Sequence, residues 1–334
     1  MLPTRVDAQA LPPPPGIIAS LRAGFDAIAA HIGLILMPLG LDLLLWLGPR
    51  VSVSKLIQPV LEEMTRLAPT NGLSTSDISA MLDMYRALLE RFNLLIIVRT
   101  LPVGISSLMS GRMPAVSPLG APFILQVTSA GQLFGLFLLL TLIGWMLGGL
   151  YFYGVAGLVV SKPLTDALPT AAHAVIQTIL YSLIWVILLW SVGLPALFMV
   201  YLTFAINALL GQGLLLFLAF ISLWLLVPLF FSPHGIYLRR QNALASFLGG
   251  FRLTRFTLPG SSFFVLAVIL VGVGLNLLWA VPAEDSWFAL VGLLGHAFIT
   301  TALLASSFVY YQDMSVWLQT ALERLRSSLP TQKA

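Results

Sequence analysis

Asp42 sits in the apolar run IGLILMPLGLDLLLWLG, where a carboxylate has no water to solvate it. An ionisable side chain at the centre of a bilayer costs on the order of 3 kcal/mol on insertion scales, so it is retained either for a polar path or for a hydrogen bond that fixes a helix contact. Asp42 stands six residues before Gly48, which places it roughly 9 Å inside the end of its helix. In one continuous helix, His31 and Pro38 share its face. His296 is a second such group, with Gly292, Thr300 and Ser307 on its face, and Asn276 follows Gly272 by one turn in the preceding apolar run. Small and polar stripes of this kind hold membrane helices together through close approach and interhelical hydrogen bonds, which is the first reading of each group. The second is a proton or ligand relay through Asp42, His296 and Asn276, which requires the first and last apolar helices to be neighbours.

Soluble-type catalysis finds no support. The chain has no HExxH, GxSxG, Walker A or strand-linked GxGxxG pattern, and its histidines at 31, 173, 234 and 296 are too scattered for a metal motif. Zero cysteines exclude disulfides, thiolate ligands and cysteine nucleophiles. No catalytic residue, metal or cofactor is expected.

Composition identifies the elements that must hold these groups. Of 334 residues, 9% are charged, against about 25% in a soluble domain. The apolar classes reach 58% and mean hydropathy is +0.96, more apolar surface than one core in water hides. The expected fold is an all-α, polytopic membrane bundle with six transmembrane helices and amphipathic interfacial helices. The spans are read at about Ala27 to Gly48, within Gln126 to Val160, Ala174 to Ile206, Gly213 to Phe231, Ser261 to Ala280, and Trp287 to Val309. Pro195 is expected to distort the third, and glycine pairs 131/135 and 144/148 have the spacing of close helix contacts.

Charge orients the bundle. With the N-terminus inside, the inner segments hold ten Lys and Arg, among them Arg5, Lys162 and Lys333, against five Asp and Glu, including Asp7 and Asp166. The outer segments hold seven of each, and their basic residues all fall in the long 49–122 loop, which is largely exempt from the positive-inside rule. Tyr151, Tyr153, Tyr237, Tyr310 and Tyr311 gather at the inner ends and Trp46, Trp279, Trp287 and Tyr201 at the outer ones, as interfacial belts would. Both termini are therefore read as cytoplasmic, in a bacterial plasma membrane. The net charge of +4 has no basic run with interleaved aromatics, so nucleic acid is not an expected partner.

Residues 1–20 read as a Pro-rich tail and 21–330 as one membrane domain. The external 49–122 segment contains two helical stripes, Leu56, Val60, Met64, Leu67 and then Met81, Tyr85, Leu88, Leu89, Phe92, the second after a capping region at Thr75-Ser76-Asp77. Residues 93–111 are apolar but interrupted by Arg99, Pro102 and Gly104, which predicts a re-entrant or interfacial segment. Residues 232–258 read as an interfacial elbow in which Arg239, Arg240, Arg252 and Arg255 meet lipid headgroups. Residues 311–329, with Met314, Trp317, Leu318, Ala321 and Leu325, read as a second surface helix.

The junction Phe231-Ser232-Pro233-His234-Gly235-Ile236, then Ala243, Ser246 and Arg252-Leu253-Thr254, together with Phe308-Val309-Tyr310-Tyr311-Gln312-Asp313, resembles the polytopic membrane domain of some bacterial glycerophosphoryl diester phosphodiesterases. Their catalytic domain has no counterpart here, so the resemblance implies a helical membrane module with a lipid-related role and no hydrolase activity. The resulting expectation is a non-enzymatic, lipid-associated scaffold or the membrane subunit of an assembly, with lipids, and a protein in the second case, as partners. A transporter with a polar path at Asp42 is the alternative, and an intramembrane lipid-modifying enzyme the third reading.

Overall fold

The computed structural model describes residues 13–67, 75–160 and 167–328. Arg5, Asp7, Lys162, Asp166, Lys333 and most of the 1–20 tail lie outside the described residues, as do the side chains of Leu67, Leu325 and the Thr75-Ser76-Asp77 cap.

Among the described residues, five helical segments are long and apolar enough to cross a membrane: Ala130–Val160, Leu168–Ile206, Ala208–Arg239, Ala243–Trp279 and Ala289–Arg324. The first expected span is broken. Helix α1 (Ile17–Ala30) and helix α2 (Leu36–Leu47) meet at 93° across a short 3-10 turn, and the pair makes a sixth span only if counted together. His31 causes the local change: its ring nitrogen Nδ1 lies 3.1 Å from the Ala27 carbonyl, the acceptor that its own backbone N–H would use in an α-helix. The N–H bonds Ile28 instead, so the helix ends. His31 consequently faces outward and does not share a helix face with Asp42.

The next segments form a cap at one end of the bundle. Strand β1 (Arg50–Ser52) pairs in parallel with β2 (Ile124–Gln126), and α3 (Ser54–Leu67) packs on α4 (Thr75–Arg91) through Leu61 and Leu82. Of the stripes expected for these helices, Leu89 joins this contact, whereas Val60, Met64, Tyr85 and Leu88 are exposed.

A 3-10 turn over Leu94–Arg99, an irregular loop and the four-residue α5 (Met109–Arg112) then enter the bundle and leave at the same end. Asn93 accepts from Val51 N–H at entry, and Arg112 donates to the Pro282 carbonyl at exit. Between them, the loop lies on α6 (Ala130–Val160). A Cβ on Gly148 would come within 2.9 Å of Gly104 Cα, and one on Gly144 within 2.6 Å of the Val98 carbonyl. Gly148 is roughly 27 Å along α6 from its start, so this is a re-entrant segment. The 144/148 glycine pair thus admits a loop rather than a helix, while Gly131 and Gly135 meet nothing within 4 Å.

Helix α7 (Ala167–Leu188) continues through a π turn at Leu189–Gly193 into α8 (Leu194–Ile206). Pro195 has no N–H for the Ser191 carbonyl, and the ladder widens there. α9 (Ala208–Phe231) leads into α10 (His234–Arg239), then α11 (Ala243–Trp279) and the 40-residue α12 (Ala289–Ser328).

Two expectations fail here. Residues 243–258 are the first turns of α11, and 311–328 the last turns of α12, so neither is a separate surface helix. Within 232–258, His234, Gly235, Ile236 and Tyr237 are buried. Of the 311–329 stripe, Met314, Trp317 and Leu318 pack with Leu253, Tyr310 and Tyr311 in one cluster between the long helices. The tyrosine belt fails for the same reason. Tyr151, Tyr237 and Tyr310 are fully buried and Tyr311 is 3% exposed.

Lipid gives helices little hydrophobic reason to associate, so close approach and hydrogen bonds hold the bundle. α12 is its centre. Gly24 of α1 lies so near the Ser306 backbone that any Cβ would collide, and Ser306 Oγ donates to the Leu21 carbonyl at 3.1 Å. Tyr151 Oη donates to Thr301 Oγ1 at 2.8 Å across α6 and α12. Thr178 and Tyr237 hydroxyls meet at 2.6 Å, and those of Tyr181 and Ser232 also bond.

Candidate functional site

Asp42 is fully buried on α2, and its partners lie about 65 residues away on the re-entrant segment. Its Oδ1 accepts from Ser107 Oγ at 2.6 Å and from Met109 N–H at 2.9 Å, and its Oδ2 accepts from Leu108 N–H at 3.2 Å. Ser107 Oγ in turn accepts from Ser110 N–H at 3.0 Å. Arg99 donates to Ser110 Oγ at 3.2 Å and acts electrostatically on both Asp42 and His296. Both carboxylate oxygens are therefore engaged, and they tie the deep loop to the broken first span.

His296 and Asn276 come together, as the relay reading required of them. His296 Nδ1 and Asn276 Oδ1 are 2.7 Å apart, joining α12 to α11. An amide oxygen only accepts, so Nδ1 carries the proton. Nearby, a Cβ on Gly292 would collide with the Trp279 carbonyl and one on Gly295 would meet its ring at 2.7 Å. The small-residue stripe lets α11 and α12 close together. Asp42 is not brought into this pair: its hydrogen bonds all go to 107–109.

The arginines define the other end. Arg252 is about 40 Å along α11 from Trp279. Arg239 at the end of α10 and Arg252 on α11 line one cavity of about 220 Å³ together with Gln241, Tyr311, Ser315 and Gln319. Arg239 also stands over the Tyr311 ring, 5.7 Å from its centroid. Among the described residues no Asp or Glu lines this cavity, and the ion pairs lie elsewhere: Arg22–Asp26, Arg66–Glu63 and Arg86–Asp83. Arg240 and Arg255 do not converge on it. Arg240 adopts a left-handed conformation, φ 51°, and donates to Thr170 Oγ1 at 2.6 Å on α7; Arg255 stands over Phe256. Two guanidinium groups, two carboxamides and two hydroxyls around a recess fit an oxyanion such as a phosphate ester.

Sequence reasoning found the arginines by charge and missed Gln241, Tyr311, Ser315 and Gln319, which become neighbours only because α10 folds back between α11 and α12. Tyr311 and Ser315, one helical turn apart on α12, were the available signal. The junction residues that carry the family resemblance also converge. Ser246 Oγ donates to the Ser232 carbonyl at 2.7 Å and accepts from Ile236 N–H at 3.1 Å, while His234 stacks on Tyr311 with centroids 5.3 Å apart.

No protein-family model, no curated protein and no solved structure matches this chain. The fold is that of an all-α, multi-pass membrane protein, a bundle of five or six apolar spans.

Proposed function

We propose that this protein is a non-enzymatic, lipid-associated scaffold of the bacterial plasma membrane, or the membrane subunit of an assembly, and that Arg239 and Arg252 hold an acidic phospholipid headgroup on its cytoplasmic side. The observation that carries this reading is the 220 Å³ recess with two arginines and, among the described residues, no lining carboxylate. Cationic groups next to a bilayer draw anionic lipid, each Lys or Arg contributing about 1 kcal/mol. The commitment of both Asp42 oxygens to the re-entrant segment favours this over a permease path through Asp42. The resemblance to a membrane module found with glycerophosphodiester hydrolases agrees with a lipid-related role.

The test is thermal unfolding of the full chain in nanodiscs of rising phosphatidylglycerol content. A bound lipid stabilises the state that binds it, so the wild-type midpoint rises with phosphatidylglycerol and that of Arg239→Gln/Arg252→Gln stays flat. Parallel rises in both proteins would remove the proposal.

A further inference from the structure

Arg99 interrupts the apolar run of the re-entrant segment, and the fold holds it at depth. A Cβ on Gly144 would come within 2.6 Å of the neighbouring Val98 carbonyl. Gly144 is roughly 21 Å along α6, close to the middle of that 31-residue helix. Arg99 is nevertheless exposed. It lines a groove of about 530 Å³ whose walls are Ile96, Ile97 and Leu101 of the re-entrant segment, Phe137 and Trp145 of α6, and Val186 of α7. Leu101, Phe137 and Val186 are exposed, so the groove opens on the lipid-facing side of the bundle.

The charge in this groove has no anion in contact with it. A guanidinium has five N–H donors, and one of those on Arg99 goes to Ser110 Oγ at 3.2 Å. Among the described residues no Asp or Glu forms an ion pair with Arg99. Asp42 and Arg99 act on each other through space, but Asp42 is fully buried and both its oxygens accept from 107–109. An exposed guanidinium at this depth is costly until an anion meets it.

The wall decides which anion. Its other polar side chains are Thr100 and Thr141, and Thr100 Oγ1 already donates to the Val103 carbonyl at 2.9 Å. A phosphodiester, with its glycerol esters and polar substituent, would bury more polar atoms here than the wall can satisfy. A carboxylate matches one guanidinium through two oxygens and brings no further polar group. A cavity of about 150 Å³ holds the six carbons of benzene, so this groove takes about twenty heavy atoms, the size of palmitate. We infer that the groove binds the anion of a long-chain fatty acid, its carboxylate paired with Arg99 and its chain lying on the apolar wall of α6 and the re-entrant segment. The site shares no lining residue with the arginine recess and does not depend on that reading.

Photolabelling of the full chain in phosphatidylcholine nanodiscs tests this, with a diazirine-bearing palmitate analogue at alkaline pH, where the acid is ionised, and adducts mapped by peptide mass spectrometry. Palmitate, methyl palmitate and phosphatidylglycerol serve as competitors. Adducts are expected within 96–101 and 137–145, displaced by palmitate and at least about tenfold less well by methyl palmitate, which lacks the charge-assisted hydrogen bonds. Arg99→Gln should lower this labelling at least about tenfold. Val186→Trp fills the groove from an exposed position on α7 with Arg99 in place. It should lower the labelling as well, which decides the matter should Arg99→Gln fail to fold. Labelling there that palmitate does not displace, equal displacement by methyl palmitate or by phosphatidylglycerol, or unchanged labelling of either folded variant would each overturn the inference.

Discussion

At the loop-bearing end, Asp42, Arg50 and Glu284 are answered by specific partners. Asp42 takes three hydrogen bonds from 107–109, Arg50 donates to the carbonyls of Glu90, Pro114 and Ala115, and Glu284 accepts from Ala115 N–H while its own carbonyl receives Trp46 Nε1–H. Burial and the nearby Arg91 draw the Arg50 guanidinium below its ordinary range, and Glu284 opposes this. At the opposite end, Arg239 and Arg252 line a recess that, among the described residues, no carboxylate lines. The first arrangement closes on itself and positions backbone. The second leaves charge for something outside the chain to answer. An ionisable residue in a membrane protein is thus best judged by whether its hydrogen bonds are already taken, not by its depth.

Substitutions that break the closed end should have the largest effects. Asp42→Ala leaves the Ser107 hydroxyl and two amides without an acceptor, at about 1–3 kcal/mol for each buried group. Its expected outcome is a loss of at least about 3 kcal/mol, read by thermal unfolding, with new protease cleavage between 99 and 112. Asp42→Asn keeps one oxygen but turns an N–H toward donors, so about 1–2 kcal/mol of destabilisation is expected with the fold retained. At the open end, Arg239→Gln/Arg252→Gln should change stability in phosphatidylcholine by no more than about 0.5 kcal/mol, while removing the response to phosphatidylglycerol. Arg255→Gln is the smallest change and should leave that response intact, because Arg255 stands over Phe256 outside the recess. A response lost equally in Arg255→Gln would mean that diffuse charge, not the recess, attracts the lipid.

Hydropathy made the apolar cores of the later spans legible, because each must be about 20 residues long whatever it packs against. It did not show where those helices end. A stripe such as Met314, Trp317, Leu318 and Ala321 looks alike on a helix lying in the headgroup region and on one that simply continues, and α12 does the latter. The break at His31 was hidden because it depends on one side chain capturing the Ala27 carbonyl. Asp42 was conspicuous as a charge in an apolar run, yet its partners at 107–109 follow from tertiary folding, not from spacing. His296 and Asn276 were singled out and do meet. His234 fell in the stretch read as an interfacial elbow because the turn at Ser232 and Pro233 looks like an exit from the membrane, whereas α10 folds back into the bundle.

Asp42 acts as a structural clasp, and the proposed place of lipid is the arginine recess. Native mass spectrometry of wild type, Asp42→Asn and Arg239→Gln/Arg252→Gln, each released from the same mixed-lipid detergent micelles, tests it most directly. Wild type and Asp42→Asn should retain the same acidic phospholipid, and the double arginine variant should lose it. A defined non-lipid ligand that disappears only in Asp42→Asn, with acidic lipid equally retained by all three proteins, would contradict it.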